Sequence, residues 1–198
     1  MPNTSATGGY LVGTVNPTVL YTDNALQDFL HEWIVGITGL APALVRPRWQ
    51  PEQPNIPQSA VDWCAFGITD KSYIGQPFVN HIASSIAYPN GYDEVRSHQE
   101  LTVMVTFYGP DAENYELLLS KGMFVAQNQE ALNLVNVALT GCGGSTTIPE
   151  LIKEKWVYRV DLPIYFRRQI VLDYQVLNLL HGQLGINNEY YTENITAG

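Results

Sequence analysis

The chain of 198 residues is short of cysteine, of charge, and above all of positive charge. Two cysteines far apart in sequence, Cys64 and Cys142, are too few for a disulfide framework, and both read as reduced packing residues. Charged side chains make up only 15% of the chain, ten basic against nineteen acidic, for a formal charge of −9. That is the wrong sign for a surface that neutralises phosphates, so nucleic-acid binding through a basic patch is disfavoured. Long hydrophobic runs are missing too: the best stretch, from Trp33 to Val45, is broken by Gly36, Gly39 and Pro42, short of the roughly 20 residues a membrane helix needs. A soluble protein is expected. The first fifteen residues carry no Lys or Arg and no sustained apolar core, which argues against a secretory signal. What the chain does have is 45% hydrophobic and 11% aromatic residues, enough apolar material for one well-packed domain and too much for disorder.

Residues 1–21 mix Thr, Asn, Ser and Gly with a short apolar patch, Tyr10, Leu11 and Val12, and read as an extended arm. Beyond them, Leu26, Phe29, Leu30, Trp33, Ile34 and Ile37 follow the spacing of an amphipathic helix, with Asn24 and Gln27 as its capping pair and Gly39 and Pro42 ending it. Five prolines between residues 41 and 57 exclude a helix there. Residues 62–69 read as a strand buried on both faces and 78–88 as a weaker one, ended by the turn signal Pro89-Asn90-Gly91. Residues 100–108 alternate, with Leu101, Val103, Val105 and Phe107 on one face. Gly109-Pro110-Asp111 opens a second helix to about Lys121, packing Ala112, Tyr115, Leu118 and Leu119 inward and stopped by Gly122. A short helix over 128–133, a strand over 134–139 and a flexible glycine loop at 141–144 follow. The last long strand, 155–169, alternates from Trp156 to Phe166. Pro163 within it cannot donate to a ladder and predicts a sheet edge or a bulge. An apolar stretch over 174–184 precedes a polar end. The expected class is α+β, a mixed and mainly antiparallel sheet with helices packed on it. It forms one domain of arm (1–21), core (22–181) and C-terminal tail (182–198).

Chemistry is harder to find. The four histidines, His31, His81, His98 and His181, are scattered, and no short-spaced His or Cys pair announces a zinc site. The run 141–145 is superficially like a phosphate loop but has no lysine to reach the phosphates, and the Gly-x-Ser-x-Gly elbow of serine hydrolases is absent. Asp111, Glu113 and Glu116 fall on successive turns of the second helix, where acids ordinarily complement the dipole. Asn3-Thr4-Ser5 and Asn194-Ile195-Thr196 match the glycosylation sequon, which carries no meaning without a secretory signal. No catalytic, cofactor-binding or metal-ligating residue is assigned. The basic clusters, Arg46 with Arg48 and Arg167 with Arg168, suit carboxylates of a neighbouring subunit.

Joined segments say more than single motifs. LVRPRWQPEQPNIP (44–57), DWCAFGI (62–68), the run from His98 to Leu132 containing FYGPDAENY and AQNQEAL, and the run 148–170 together resemble the bacteriophage neck or tail terminator family. The most specific part is W-x-x-R-x-D-L-P-x-x-x-R-R, at Trp156, Arg159, Asp161, Leu162, Pro163, Arg167 and Arg168. The resemblance implies a small α+β fold and a non-enzymatic virion protein at the head–tail junction, assembled in the host bacterial cytoplasm. It further implies a ring, commonly of six copies, that caps the tail tube and docks onto the neck. Expected partners are the chain itself, tube proteins, sheath proteins if the tail contracts, and neck or connector proteins, with no membrane and no cofactor.

An arm, a proline-rich segment and a glycine loop are costly to order without neighbours, so Tyr10, Leu11, Val12, Arg46, Arg48, Arg167 and Arg168 are the expected subunit contacts. Six copies at −9 each carry −54, and acids facing the lumen would let DNA pass without specific binding. Two further readings stand beside this one. Trp33, Trp49, Trp63 and Trp156 with the many tyrosines would suit a small-molecule or glycan-binding module, although Trp33 and Trp63 fall on expected core faces. An enzyme assembled from scattered carboxylates and histidines has less behind it.

Overall fold

The computed structural model describes residues 3–15, 22–50, 55, 57–85, 90–152, 155–178, 184–186 and 189–191. Pro51, Pro54, Pro89, His181, the sequon at 194–196 and the end of the expected 78–88 strand lie outside them. Among the described residues, three helices and a seven-stranded, mainly antiparallel sheet make the fold α+β, as expected. In chain order the elements are β1 (Thr14–Val15), α1 (Asp23–Thr38), a 3-10 turn (Pro42–Leu44), β2 (Val45–Pro47), β3 (Trp63–Ile82) and β4 (Tyr92–Tyr108). There follow α2 (Ala112–Gly122), α3 (Ala126–Asn133), β5 (Val137–Cys142), β6 (Thr146–Ile152), β7 (Lys155–Tyr174), β8 (Leu184–Ile186) and β9 (Glu189–Tyr191). The sheet runs β1-β7-β4-β3-β2, with β5 and β6 also paired to β7 and with β2 parallel to β3. The chain divides into two compact units, one of residues 1–16, 77–96 and 171–198, the other of 17–76 and 97–170.

The larger unit holds the main core. Leu26, Leu30, Trp33 and Ile34 of α1, Leu101, Val103, Val105 and Phe107 of β4, and Val160, Leu162, Ile164 and Phe166 of β7 are all buried in it. Two periodicities therefore meet: a 3.6-residue stripe lies on the faces of strands whose side chains alternate. Trp33 meets Phe166 edge to face at 5.8 Å and donates its Nε1 hydrogen to the Asn128 carbonyl at 2.9 Å. The cap of helix α1 falls two residues earlier than expected, because Thr22 rather than Asn24 turns its side chain to the Ala25 N–H. It ends where Gly39 enters the left-handed region and returns its N–H to the Val35 carbonyl. Gly109 also has a positive φ, and a Cβ there would run into Asp62 and the Val61 carbonyl. The Asp62 carboxylate takes the Asp111 N–H at the start of α2.

Several expectations need correction. The proline-rich segment contains a 3-10 turn and the strand β2. The two strands expected over 62–69 and 78–88 are one strand, β3, buried over residues 64–68 and exposed over 69–81; its outer part has no buried face and so no alternation to read. On α2 the buried residues are Ala112, Glu116, Leu119 and Ser120; Leu118 is exposed. The strand expected at Leu134 begins at Val137, and Leu134 is 84% exposed. Gly141 and Cys142 belong to β5, and β6 was not anticipated.

Strand β7 is interior, not an edge: β4 flanks it on one side, β1, β5 and β6 on the other. Of the edge or bulge expected at Pro163, the edge is excluded, while the β5 ladder does shift register nearby, between Leu139 and Gly141. Strand β5 ends opposite Ile164 and β6 begins opposite Asp161, so Pro163 falls where one neighbour gives way to the next. Its carbonyl takes the Gly143 N–H at 2.8 Å, and its missing donor faces that same break.

In the smaller unit the N-terminal residues are not a free arm. β1 pairs antiparallel with the end of β7, the Ser5 N–H reaches the Gln175 carbonyl at 3.1 Å, and the Leu177 N–H reaches the Ser5 hydroxyl at 2.8 Å. The short β8–β9 hairpin lies in the stretch read as apolar run and tail.

Candidate assembly surface

The specific motif maps onto β7, whose alternation sends its members to two faces. On one face Asp161 is a hub. Arg159 grips its carboxylate with two hydrogen bonds, from Nε at 2.9 Å and Nη2 at 2.8 Å, and extends Nη1 to Glu150 of β6 at 2.9 Å. The Thr106 hydroxyl of β4 donates to the same carboxylate at 2.7 Å and accepts from Arg48. Burial opposes ionisation of Asp161, yet the bonds from Arg159 and Thr106 prevail and hold its carboxyl below the ordinary range. Arg159 is correspondingly held protonated by Asp161. Beside this network Trp63 stacks on Tyr108 at 4.3 Å and 9°, with the Arg159 guanidinium 5.9 Å from the Tyr108 ring. Burial pushes the Tyr108 hydroxyl up and keeps it neutral.

On the other face the apolar alternation continues out of the core. Tyr158 and Trp156 share the side of buried Val160, Leu162, Ile164 and Phe166 but are exposed, Trp156 to 70%. Leu151 stands opposite Trp156 across the hairpin and Pro149 opposite Tyr158. Directly opposed residues share a face, so the hairpin ends in an uncovered apolar ribbon. A second exposed apolar group lies on α2 and the connection to α3: Leu117, Leu118, Phe124 and Val125. The sequence pattern gave the Trp156–Phe166 alternation as one strand and did not tell its buried stretch from its exposed end. The signal for its exposed end was the charged run Lys153-Glu154-Lys155 beside it.

The expected contact residues divide. Tyr10 and Val12 are exposed, at 93% and 69%, while Leu11 is half-buried. Arg46 donates to the carbonyls of Ala43 and Asn55, at 2.9 and 2.7 Å. Arg48 belongs to the Asp161 network, with its Nε buried and without a hydrogen-bond partner. Arg167 is exposed, paired to Glu100 at 3.0 Å. Arg168 finds its carboxylate within the chain: only 3% exposed, it donates to Gln99 at 2.8 Å and to Asp23 at 3.1 Å. Lys71 also reaches Asp23, at 2.5 Å; against the cost of burial, the two cations keep that carboxyl below its ordinary range. Of the tryptophans, Trp33 is buried, Trp63 is half-buried in its stack, Trp49 is exposed but lies against Gly67, and Trp156 is open.

Among the described residues no three His, Cys, Asp or Glu side chains are grouped to hold a metal ion, and no helix is long and apolar enough to cross a membrane. Comparison with known families matches residues 24–190 to the family described as phage neck terminator protein. No curated protein matches the chain.

Proposed function

The chain belongs to the phage neck terminator protein family, and from that premise we propose that it is a structural, non-enzymatic component of the virion that closes into a ring, caps the tail tube and joins it to the neck. The observation that carries this reading is the family match over 167 of 198 residues, 24–190. Six copies are the proposed number, with tube and connector proteins as neighbours, sheath proteins if the tail contracts, and DNA passing through an acidic lumen without specific contacts. The physical support differs from that expected for free arms. It lies in apolar side chains left open on otherwise well-packed units, since large exposed patches mark interaction sites. Of the residues expected at subunit contacts, Tyr10, Val12 and Arg167 are open enough to reach a neighbour. Glycan binding has less support, because Trp49 is laid on Gly67 and Trp156 stands opposite Leu151 in a ribbon without polar partners grouped to grip a sugar.

The experiment is native mass spectrometry and negative-stain microscopy of the purified full chain, with immunogold labelling of virions. Closed rings and label at the head–tail junction are expected. A strict monomer at every concentration, absent from particles, would overturn the reading.

A further inference from the structure

Helix α2 is apolar on two sides. Ala112, Leu119 and Met123 are buried in the core, yet Leu117 and Leu118 are exposed, as are Phe124 and Val125 in the turns that prolong the helix. Four-residue spacing puts Glu113, Leu117 and Lys121 in one row on the outward side, and all three are exposed. Pro110, Glu113, Asn114 and Leu117 line a shallow groove at the start of that row. Glu113 and Lys121 thus lie one turn to either side of Leu117, about 6 Å away along the axis. Among the described residues neither takes part in an ion pair.

An exposed apolar patch marks an interaction site, and the charges beside this one select its partner. Turned end for end about Leu117, the row meets its own complement. Leu117 then faces Leu117, Glu113 of each copy faces Lys121 of the other, and Phe124 falls in register with the Pro110 end of the groove. Two helices side by side in the same direction would instead oppose acid to acid and lysine to lysine, which costs free energy and selects against that pairing. We propose that the outward face of α2 docks on the same face of a second copy, antiparallel, about a two-fold axis at Leu117. Such a contact is isologous and closes on two copies, so it stands apart from any contact that propagates a ring and does not depend on the ring reading. Helix α2 has 11 residues and is roughly 16 Å long. The interface is therefore small and belongs with weak, reversible contacts.

The test uses the full-length chain carrying Leu117→Cys and Cys142→Ala; Cys64 stays, being fully buried. A short bis-maleimide should link copies in pairs on a denaturing gel. Linking should be about tenfold faster than in a control with the cysteine at exposed Thr140 instead, because docking holds the two thiols at high local concentration. Adding Lys121→Glu, or Glu113→Lys, to the Leu117→Cys chain should slow linking about fivefold or more, since each change turns two opposite-charge pairs into two like-charge pairs. An equimolar mixture of those two variants should recover the rate to within about twofold, because both pairs between unlike copies are again opposite in sign. No linked pairs through Leu117→Cys, equal linking through Thr140→Cys, or a mixture that links no faster than its components would each overturn the proposal.

Discussion

Replacing Asp161 by Asn removes the charge at the hub of the β4–β7 network while keeping its shape. The carboxylate accepts three hydrogen bonds, two from Arg159 at 2.9 and 2.8 Å and one from Thr106 at 2.7 Å. Asparagine has one acceptor oxygen, and its amide would point hydrogens at an Arg159 donor in either orientation, and in one of them at the Thr106 hydroxyl as well. Hydrogen bonds to charged groups contribute about 1.5–3 kcal/mol each when desolvated. Arg159 is partly open to water, which recovers some of the loss, so the net cost should be about 2–3 kcal/mol. For a chain of this length that lowers the melting temperature by roughly 4–12 °C. Arg159→Met should cost about 1–3 kcal/mol, and the double variant should fall short of the sum by at least about 1 kcal/mol, because both changes break the same bonds. The sign of the pH dependence follows from the lowered carboxyl. Its stabilisation is complete above the unfolded value, near 3.8, and is lost as pH falls through the folded one. The gap between wild type and Asp161→Asn should therefore narrow in acid. Urea titrations near pH 7 and below about pH 4, with the m-value compared across variants, measure this. Additive single variants, a gap under about 0.5 kcal/mol at neutral pH, or a gap that widens in acid would refute the hub.

Three further outcomes are expected. A Cβ on Gly143 would stand 2.7 Å from Pro163 Cγ and 3.0 Å from the Tyr165 hydroxyl; Gly143→Ala should cost about 1–3 kcal/mol in urea unfolding, and Pro163→Ala in the same chain should recover part of it. His81 sets Nδ1 against Asp93 at 2.6 Å and Nε2 against the Asn178 side-chain oxygen at 2.7 Å, and these bonds raise its pKa, Asn178 foremost. Its NMR titration midpoint should lie above the usual 6.5 and drop in Asn178→Ala; what it adds to stability is complete below 6.5 and disappears as pH rises through the folded midpoint, so a midpoint at or under 6.5 contradicts the geometry. Burial pushes the Cys64 thiol far up, so maleimide at neutral pH should modify Cys142 in the native chain and reach Cys64 only on unfolding, as peptide mapping would show.

The fold class was legible because its two strongest signals are one-sided. The stripe of α1 and the alternation of Leu101 to Phe107 each report a face pressed on the core. Where neither face is buried, as over residues 69–81, no pattern remains, and one strand reads as two. Local chemistry also left choices that long-range contacts decide. Thr22 and Asn24 are both good caps; Leu118 and Leu119 are both apolar, and only the approach of the core selects Leu119. Arg168 looked free for a neighbour because Asp23, its partner, is 145 residues away. The Pro163 argument identified the missing donor correctly; of its two remedies the edge does not apply, and the ladder is instead interrupted between β5 and β6, next to the register shift at Leu139–Gly141.

The motif stretch on β7 thus divides between two environments on alternate residues. Arg159 and Asp161 tie the strand to β4 and β6, whereas Trp156 and Tyr158 prolong the core face into the open. Period-two geometry separates their substitutions. Changes at Arg159 or Asp161 should act on stability first, and on assembly only as far as the fold weakens. Trp156→Glu should leave the urea midpoint within the change typical of surface positions, about 0.5 kcal/mol, because its ring is already mostly in water. Assembly of that variant should nonetheless suffer. A Trp156→Glu chain that unfolds as easily as Asp161→Asn would mean that the ribbon is part of the core after all, and that the motif acts only on folding.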